Sequence, residues 1–213
     1  VSRLTYTLTL LGYLSRLDNL QKYRLGSGVL SLGYPLLANL RVRQIARPIM
    51  ETVAQETGCT VNLGMRDRTS AVYIDTCRVD AGNVYQPDIG STRPLLSSAI
   101  GRALILAGTA HERSAILNRL KVEDPERFAL DKPRWEADQK VFAQCGYCYS
   151  RGDWRKEVHA VAAPIRQTRH EEVVALNCTL SAHRATKDTL EKRVAPRLLD
   201  AVRLIEAACG TPY

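Results

Sequence analysis

GCTVNLGMRDRTSAVYID, residues 58–75, is the stretch that decides the architecture. Before Gly58 the apolar residues recur at helical spacing, with Ile45, Ile49 and Val53 as one stripe of a helix expected over residues 42–55 and Pro48 either kinking it or marking its true start. From Thr60 the pattern changes. Residues 60–63 and 71–75 are rich in β-branched and aromatic side chains and are separated by a polar turn, so they read as neighbouring strands of an antiparallel meander, with residues 83–86 as a third. Strands that succeed one another without an intervening helix exclude the alternation of a doubly wound sheet, and the expected class is α+β with two groups of strands flanking helices.

Downstream, helices are expected over residues 97–107 and 112–120, then a charged loop containing Pro125 and Pro133, then a helix ending near Cys145. Strands over residues 147–150, 158–163 and 173–180 and a closing helix from about Lys187 to Ala208 complete the chain. In the last strand Asn177, Thr179 and Ser181 alternate with Leu176, Cys178 and Leu180, which suits either the wall of a pocket or an exposed sheet face. Upstream, Leu4, Leu8 and Leu11 form the expected buried stripe of a first helix ended by Gly12, followed by two short strands around a turn (residues 13–16 and 21–25) and a connecting helix over residues 26–40.

The chain has 213 residues and a net charge of +8, with 45% hydrophobic and 24% charged residues, the composition of an ordinary globular protein. Residues 1–47 carry seven Arg or Lys against the single acid Asp18, whereas the remainder is nearly balanced. Positive charge gathered at one end attracts a polyanion, and nucleic acid is the first candidate partner. The longest uncharged stretch, residues 25–40, is interrupted by Gly26, Gly28, Gly33 and Pro35, so no membrane span is expected. No signal peptide is visible, and a cytoplasmic location follows as the expectation. The six cysteines are expected to be reduced and mostly buried; Cys145 and Cys148 form one Cys-x-x-Cys that suits a redox pair or half a zinc site, although no second pair lies at finger spacing and no helix start is signalled directly after it.

Catalytic signatures are missing. There is no nucleophile elbow and no phosphate-binding loop, and Gly26 and Gly28 lack the third glycine of a dinucleotide fingerprint. His111–Glu112 and His170–Glu171 begin like zincin motifs, but Ala115 and Val174 stand where the second histidine belongs. No catalytic residue, metal or cofactor is assigned, and the protein is not expected to be an enzyme. Residues 90–101, GSTRPLLSSAIG, do resemble an anion site, because small residues lead into a helix whose free N–H groups face a ligand. Ser97 or Ser98 as a simple helix cap explains the same residues.

These segments together resemble the IclR family of bacterial transcription regulators. The carrying residues are 1–14, Tyr23 to Gly26 with Leu32–Gly33, Ala46 to Pro48, Thr57–Gly58, Ile89–Gly90 with Arg93–Pro94, Gly101 to Leu104, Gly146–Tyr147 and Ala162 to Ile165, whose order and spacing matter more than any one piece. The resemblance implies a winged helix-turn-helix, of which residues 1–26 hold the recognition helix and wing with the preceding helix absent, a linker helix over 27–40, and an effector-binding domain over 41–213. That domain would be GAF-like, an antiparallel sheet flanked by helices, in a homodimer or homotetramer. Ser2, Arg3 and Tyr6 would face the major groove of operator DNA, and Arg16 and Lys22 the backbone from the wing. The effector pocket would be formed by Ser98, Ala99, Ile100, Gly101, Ser150, Asp153, Ala160, Asn177 and Thr179. After Tyr149 the sequence departs from the family: only Asp153 of an acidic cluster remains, Glu157 replaces a glycine, and Arg151, Arg155 and Lys156 make the loop basic, which either favours an acidic, carboxylate-bearing effector or reflects long side chains pointing to water. The competing possibility is a ligand-binding or catalytic module that has kept the fold without regulating DNA, using Cys145, Cys148 or His159.

Overall fold

The computed structural model describes residues 2–79, 87–166, 173–186 and 188–210. The chain divides into two compact units, Val1–Arg41 and Val42–Tyr213.

The first unit is a helix followed by a hairpin and a second helix. α1 (Ser2–Leu10) leads into β1 (Leu14–Leu17), a 3-10 turn over Asp18–Leu20, β2 (Lys22–Leu25) and α2 (Gly28–Asn39). The strands pair antiparallel from Leu14 opposite Leu25 to Leu17 opposite Lys22. A Cβ on Gly26 would lie 2.2 Å from the Gly12 carbonyl oxygen, so the hairpin returns to the end of α1 only because Gly26 has no side chain. The Leu4, Leu8, Leu11 stripe is not buried as expected: Leu4 and Leu11 are exposed, because no described element of this unit covers that face. α2 is apolar and uncharged yet buries no residue.

In the second unit α3 (Arg41–Thr57) precedes β3 (Thr60–Asp67) and β4 (Ser70–Cys77), then β5 (Thr92–Pro94), α4 (Ala99–Ala107), α5 (Ala110–Glu123), α6 (Pro125–Cys145), β6 (Cys148–Arg151), β7 (Val158–Ile165), β8 (Val174–Ser181), a π-helical segment Thr189–Val194 and α7 (Ala195–Cys209). The strands do not form two groups. They join in one antiparallel sheet ordered β5-β4-β3-β8-β7-β6, because β3 pairs with β8 from Thr60 opposite Thr179 to Met65 opposite Val174. Every residue of β8 is buried, which removes the reading of Asn177, Thr179 and Ser181 as a solvated sheet face. α4 packs over Ala160, Ala162 and Ala175 in the main apolar cluster, and α7 packs along β7.

Other expectations are also corrected. The buried stripe of α3 is Val42, Ala46, Met50 and Val53; Ile45 and Ile49 are only half-buried, and Pro48 lies inside the helix. The segment around Pro125 and Pro133 is helical, not a loop. Asp124 accepts the Arg127 N–H at 2.9 Å as N-cap, Pro125 supplies the first-turn φ, and Arg127–Asp131 and Lys132–Glu136 pairs one turn apart support the exposed face. Residues 83–86, expected as a strand, and Lys187, the expected start of the last helix, lie outside the described residues.

α5 begins at Ala110 because Thr109 and Glu112 form a reciprocal capping box, with the Thr109 N–H donating to Glu112 Oε2 at 2.7 Å and the Glu112 N–H to Thr109 Oγ1 at 3.3 Å. Glu112 is therefore committed to a helix end, and the backbone N–H of Thr109 holds its carboxyl below the usual range. Thr109→Ala is expected to cost about 1 kcal/mol in urea denaturation, with an unchanged m-value.

Candidate functional site

The central position of β8 places Asn177 and Thr179 on the face that meets the start of α4. Ser98, with extended backbone, caps that helix: its Oγ accepts the Gly101 N–H at 3.1 Å and donates to the Pro94 carbonyl at 2.6 Å. Between this helix end and the sheet lies a small cavity of about 20 Å³, room for about one water molecule. Ser98 and Ala99 line it from α4, Ser150 from β6, Ala160 from β7, and Asn177 and Thr179 from β8. Tyr73 from β4, Arg93 from β5, Val158 from β7 and Trp154 from the loop after β6 complete the lining. Of the residues assigned to the pocket from sequence, Ile100 and Gly101 are buried behind this wall, Gly101 against the Leu95 backbone, and Asp153 is turned to an ion pair described below.

Polar groups in the lining are tied to one another. The Asn177 amide donates to Tyr73 Oη at 3.2 Å and accepts from Asn62 Nδ2 at 3.0 Å, and Thr76 Oγ1 donates to Asn62 Oδ1 at 2.9 Å. Thr179 Oγ1 donates to the Thr60 carbonyl at 3.2 Å. These bonds fix the rotamers of buried polar side chains, and one N–H of the Asn177 amide remains beyond its bond to Tyr73. The Arg93 guanidinium lies 4.5 Å over the Tyr73 ring and 4.6 Å over the Trp154 ring, and Arg155 stacks on Trp154 at 4.6 Å. Burial lowers the pKa of Arg93 and raises that of Tyr73, while the two groups oppose these shifts in each other.

Four lining residues were not assigned from sequence: Tyr73, Arg93, Trp154 and Val158. The available signals were weak. Tyr73 shares its strand face with Ala71, and Arg93 precedes the proline that leads into α4. Arg93 and Trp154 also border a second, wider cleft of about 390 Å³ along the edge strand β5 and helices α5 and α6. That cleft opens on the surface, whereas the smaller cavity gathers the buried hydrogen-bonding groups.

Behind the cavity sits a fully buried Arg102 from α4. Its Nε is 2.6 Å from Asp138 of α6 and its Nη2 2.8 Å from Asp153 of the loop after β6. The same guanidinium donates to the carbonyls of Leu96 and Tyr149 at 2.9 and 2.6 Å. Asp138 Oδ2 also accepts the Tyr149 N–H at 3.2 Å, and burial holds the Asp138 carboxyl above its usual range despite the Arg102 charge. Loop, helix and strand are thus joined at one side chain, next to the residue, Trp154, that borders the cavity.

In the first unit Arg3 and Tyr6 are exposed on α1 and Ser2 begins it. Arg16 and Lys22 are exposed at the hairpin, Arg16 lying 3.5 Å from Asp18. Cys145 is exposed, but Cys148 is wholly buried and its thiol is pushed well up by desolvation, the opposite of an activated nucleophile. Burial lowers the pKa of His159. Among the described residues no group of His, Cys, Asp and Glu could hold a metal, and no helix is long and apolar enough to cross a membrane.

The family model described as Bacterial transcriptional regulator IclR C-terminal matches residues 35–207. The HTH-type transcriptional regulator TsaQ1/TsaQ2 of Comamonas testosteroni is 34% identical over 164 residues, 76% of this chain and 59% of that protein's length. KipR of Bacillus subtilis, also an HTH-type transcriptional regulator, is 29% identical over 200 residues, 89% of this chain and 76% of its own. The crystal structure of an IclR family transcriptional regulator from Brucella abortus superposes with a TM-score of 0.89 at 35% identity, covering 97% of this chain and 78% of that one. An IclR homolog of Microbacterium hydrocarbonoxydans, crystallised in complex with 4-hydroxybenzoate, has a TM-score of 0.73 at 20% identity and covers 99% and 85%; that likeness is one of fold.

Proposed function

Since the chain belongs to the IclR family of bacterial transcriptional regulators, we propose that it binds operator DNA through residues 1–26 and senses a small organic acid in the cavity at the start of α4. The observation that carries this reading is the division of charge between two units: the basic residues of the helix and hairpin belong to one, and the cavity to the other. Its relatives are named as transcriptional regulators, not as enzymes. The structural neighbour with 4-hydroxybenzoate supports an acid, aromatic or otherwise, as the effector class.

On this reading the effector acts by binding two conformations of the second unit unequally, since a ligand shifts an equilibrium only by its differential affinity. The Arg102 cluster is suited to report occupancy, because it ties the loop beside Trp154 to α4 and α6. The buried Asp75 clamp extends the reach: Arg43 and Arg47 at the start of α3 approach its carboxylate at 3.1 and 2.7 Å, and Asp75 lies two residues from Tyr73 of the cavity wall. Residues 27–40 serve as the linker and 41–213 as the effector domain. The exposed Leu30, Leu32, Tyr34 and Leu36 of α2 support assembly as a homodimer or tetramer.

Binding of the intact protein to the DNA upstream of its own gene tests the reading. Affinity is expected to fall steeply with salt, as phosphate contacts release counterions. At fixed salt Arg3→Ala is expected to weaken operator binding about 10- to 100-fold, the loss of one bidentate base contact. An unchanged affinity removes Arg3 from the interface, and a flat salt dependence removes DNA as the partner.

A further inference from the structure

We propose that Cys59 is a site of oxidation by hydrogen peroxide and that Cys178 resolves the oxidised sulfur to a disulfide joining the start of β3 to β8. The sheet register brings the two residues together: Thr60, the first paired residue of β3, lies opposite Thr179, and Val61 lies opposite Cys178. Cys59 is two positions before Val61, so its side chain falls on the same face as that of Cys178, diagonally across the strand pair. The two thiols are in hydrogen-bonding contact. Cys59 stands one residue ahead of the ladder, where the chain turns out of α3, and its backbone is less constrained there than within the sheet. A shift at that turn brings the sulfurs to bonding distance.

The surroundings give the two sulfurs unequal roles. Arg184 follows β8, and its Nη2 would lie only 2.8 Å from a Cβ on Gly58, so the missing side chain at Gly58 lets a guanidinium sit beside the turn that carries Cys59. Arg193, in the π-helical segment, donates to the Glu56 carbonyl at 3.1 Å at the same end of α3. The hydrogen bond from Cys178 holds the Cys59 thiol below its ordinary pKa, helped by Thr57 and by the charges of Arg184 and Arg193. The same hydrogen bond, together with burial, pushes Cys178 well up. Desolvation raises Cys77 and Cys148 as well, which leaves Cys59 as the buried thiol suited to react as a thiolate. Cys59 is itself buried, but Arg184 and Arg193 beside it are exposed, so part of its cover is flexible side chain and not packed core. Such a cover passes a small uncharged oxidant such as hydrogen peroxide and excludes a bulky disulfide. The Cys59 thiolate attacks one peroxide oxygen; an S–O bond forms, the O–O bond breaks, and the departing hydroxide takes up a proton to become water. Cys178 then attacks the sulfenic sulfur, so that an S–S bond forms, the S–O bond breaks, and hydroxide leaves as a second water with the proton of Cys178. Two thiols are oxidised and one peroxide is reduced.

The test treats the fully reduced, folded protein with an equimolar amount of hydrogen peroxide at neutral pH, blocks the remaining thiols and maps the unreduced peptides by mass spectrometry. A peptide pair linked through Cys59 and Cys178 is expected as the main product, and dithiothreitol should abolish it. In Cys178→Ala, Cys59 should instead accumulate as a sulfenic acid that dimedone traps. Arg184→Gln should slow the oxidation of Cys59 about 3- to 10-fold, the effect of removing one charge beside a thiolate, whereas Arg184→Lys should stay within about twofold of the wild type. Arg184 is exposed, so both of its variants keep the fold, and the wild-type map decides the matter even if Cys178→Ala does not fold. Oxidation confined to the exposed Cys145, a Cys59 that reacts only in denaturant, or an Arg184→Gln variant that reacts at the wild-type rate would overturn the assignment.

Discussion

Arg102→Met is expected to destabilise the protein by about 3–5 kcal/mol, because it leaves Asp138 buried without its cation and Asp153 with only the exposed Arg134 at 3.5 Å. For a chain of this size that corresponds to a fall in Tm of about 10 °C, and chemical denaturation reads the same loss as a lower midpoint. The dependence on pH has a definite sign. Burial already holds the Asp138 carboxyl above its ordinary range, and removing the Arg102 charge takes away an opposing influence. A carboxyl with a raised pKa in the folded state contributes stability that is full below its unfolded pKa and is lost as pH rises through the folded one. The deficit of the variant should therefore shrink on acidification from pH 7 towards pH 5. Replacing Arg102, Asp138 and Asp153 together by apolar residues should recover much of the loss, since it is the uncompensated charge that costs most. A loss below about 1 kcal/mol for Arg102→Met would show that water reaches the two carboxylates in solution.

Gly101→Ala should be comparably severe through a different cause. A Cβ at this position would lie 2.4 Å from both Cα and the carbonyl oxygen of Leu95, and 2.7 Å from its carbonyl carbon. These are backbone atoms, so no rotamer change relieves the overlap, and α4 must move away from the turn that precedes it. Overpacking of this kind costs about 3 kcal/mol, or more where the backbone itself is the obstacle. Displacement also carries Ser98 and Ala99 out of the cavity wall, so whatever folds should lose its response to effector more completely than its stability. Denaturation together with ligand titration checks both halves. A variant of normal stability and response would mean that the helix and the Leu95 turn shift cheaply.

The sequence exposed the helix–hairpin–helix order of the first unit and six of the ten cavity-lining positions, and the reasons for the gaps are physical. Asn177 and Thr179 were legible because polar residues in period-two alternation with Leu176 and Cys178 are costly unless the fold gives them partners. Tyr73 and Arg93 were not, because their role depends on β4 and β5 lying beside the central strands, a pairing over long sequence separation that no local pattern encodes. Pairing at a distance also hid the single sheet: nothing near Thr60 announces that its partner is Thr179. Proline misled the reading around residue 125, where Pro125 is the first residue of a helix and Asp124 its cap. In α3 the β-branched Ile45 and Ile49 attracted the stripe, but Ala46 and Met50 are the residues that reach the core. Asp153 stands in register with the family's acidic cluster, but its attachment to Arg102 is visible only with α4 in place.

The hydrogen bond from Asn62 to Asn177 spans 115 positions, and the two strands it joins stand at the middle of the sheet. During synthesis the early strands β3 and β4 emerge long before β8 exists to receive them. Until translation has passed Ser181 the nascent chain holds an open sheet edge and no finished cavity, although its cationic leading segment is already outside the ribosome. If the proposed function holds, responsiveness to an effector is therefore among the last properties a newborn molecule acquires.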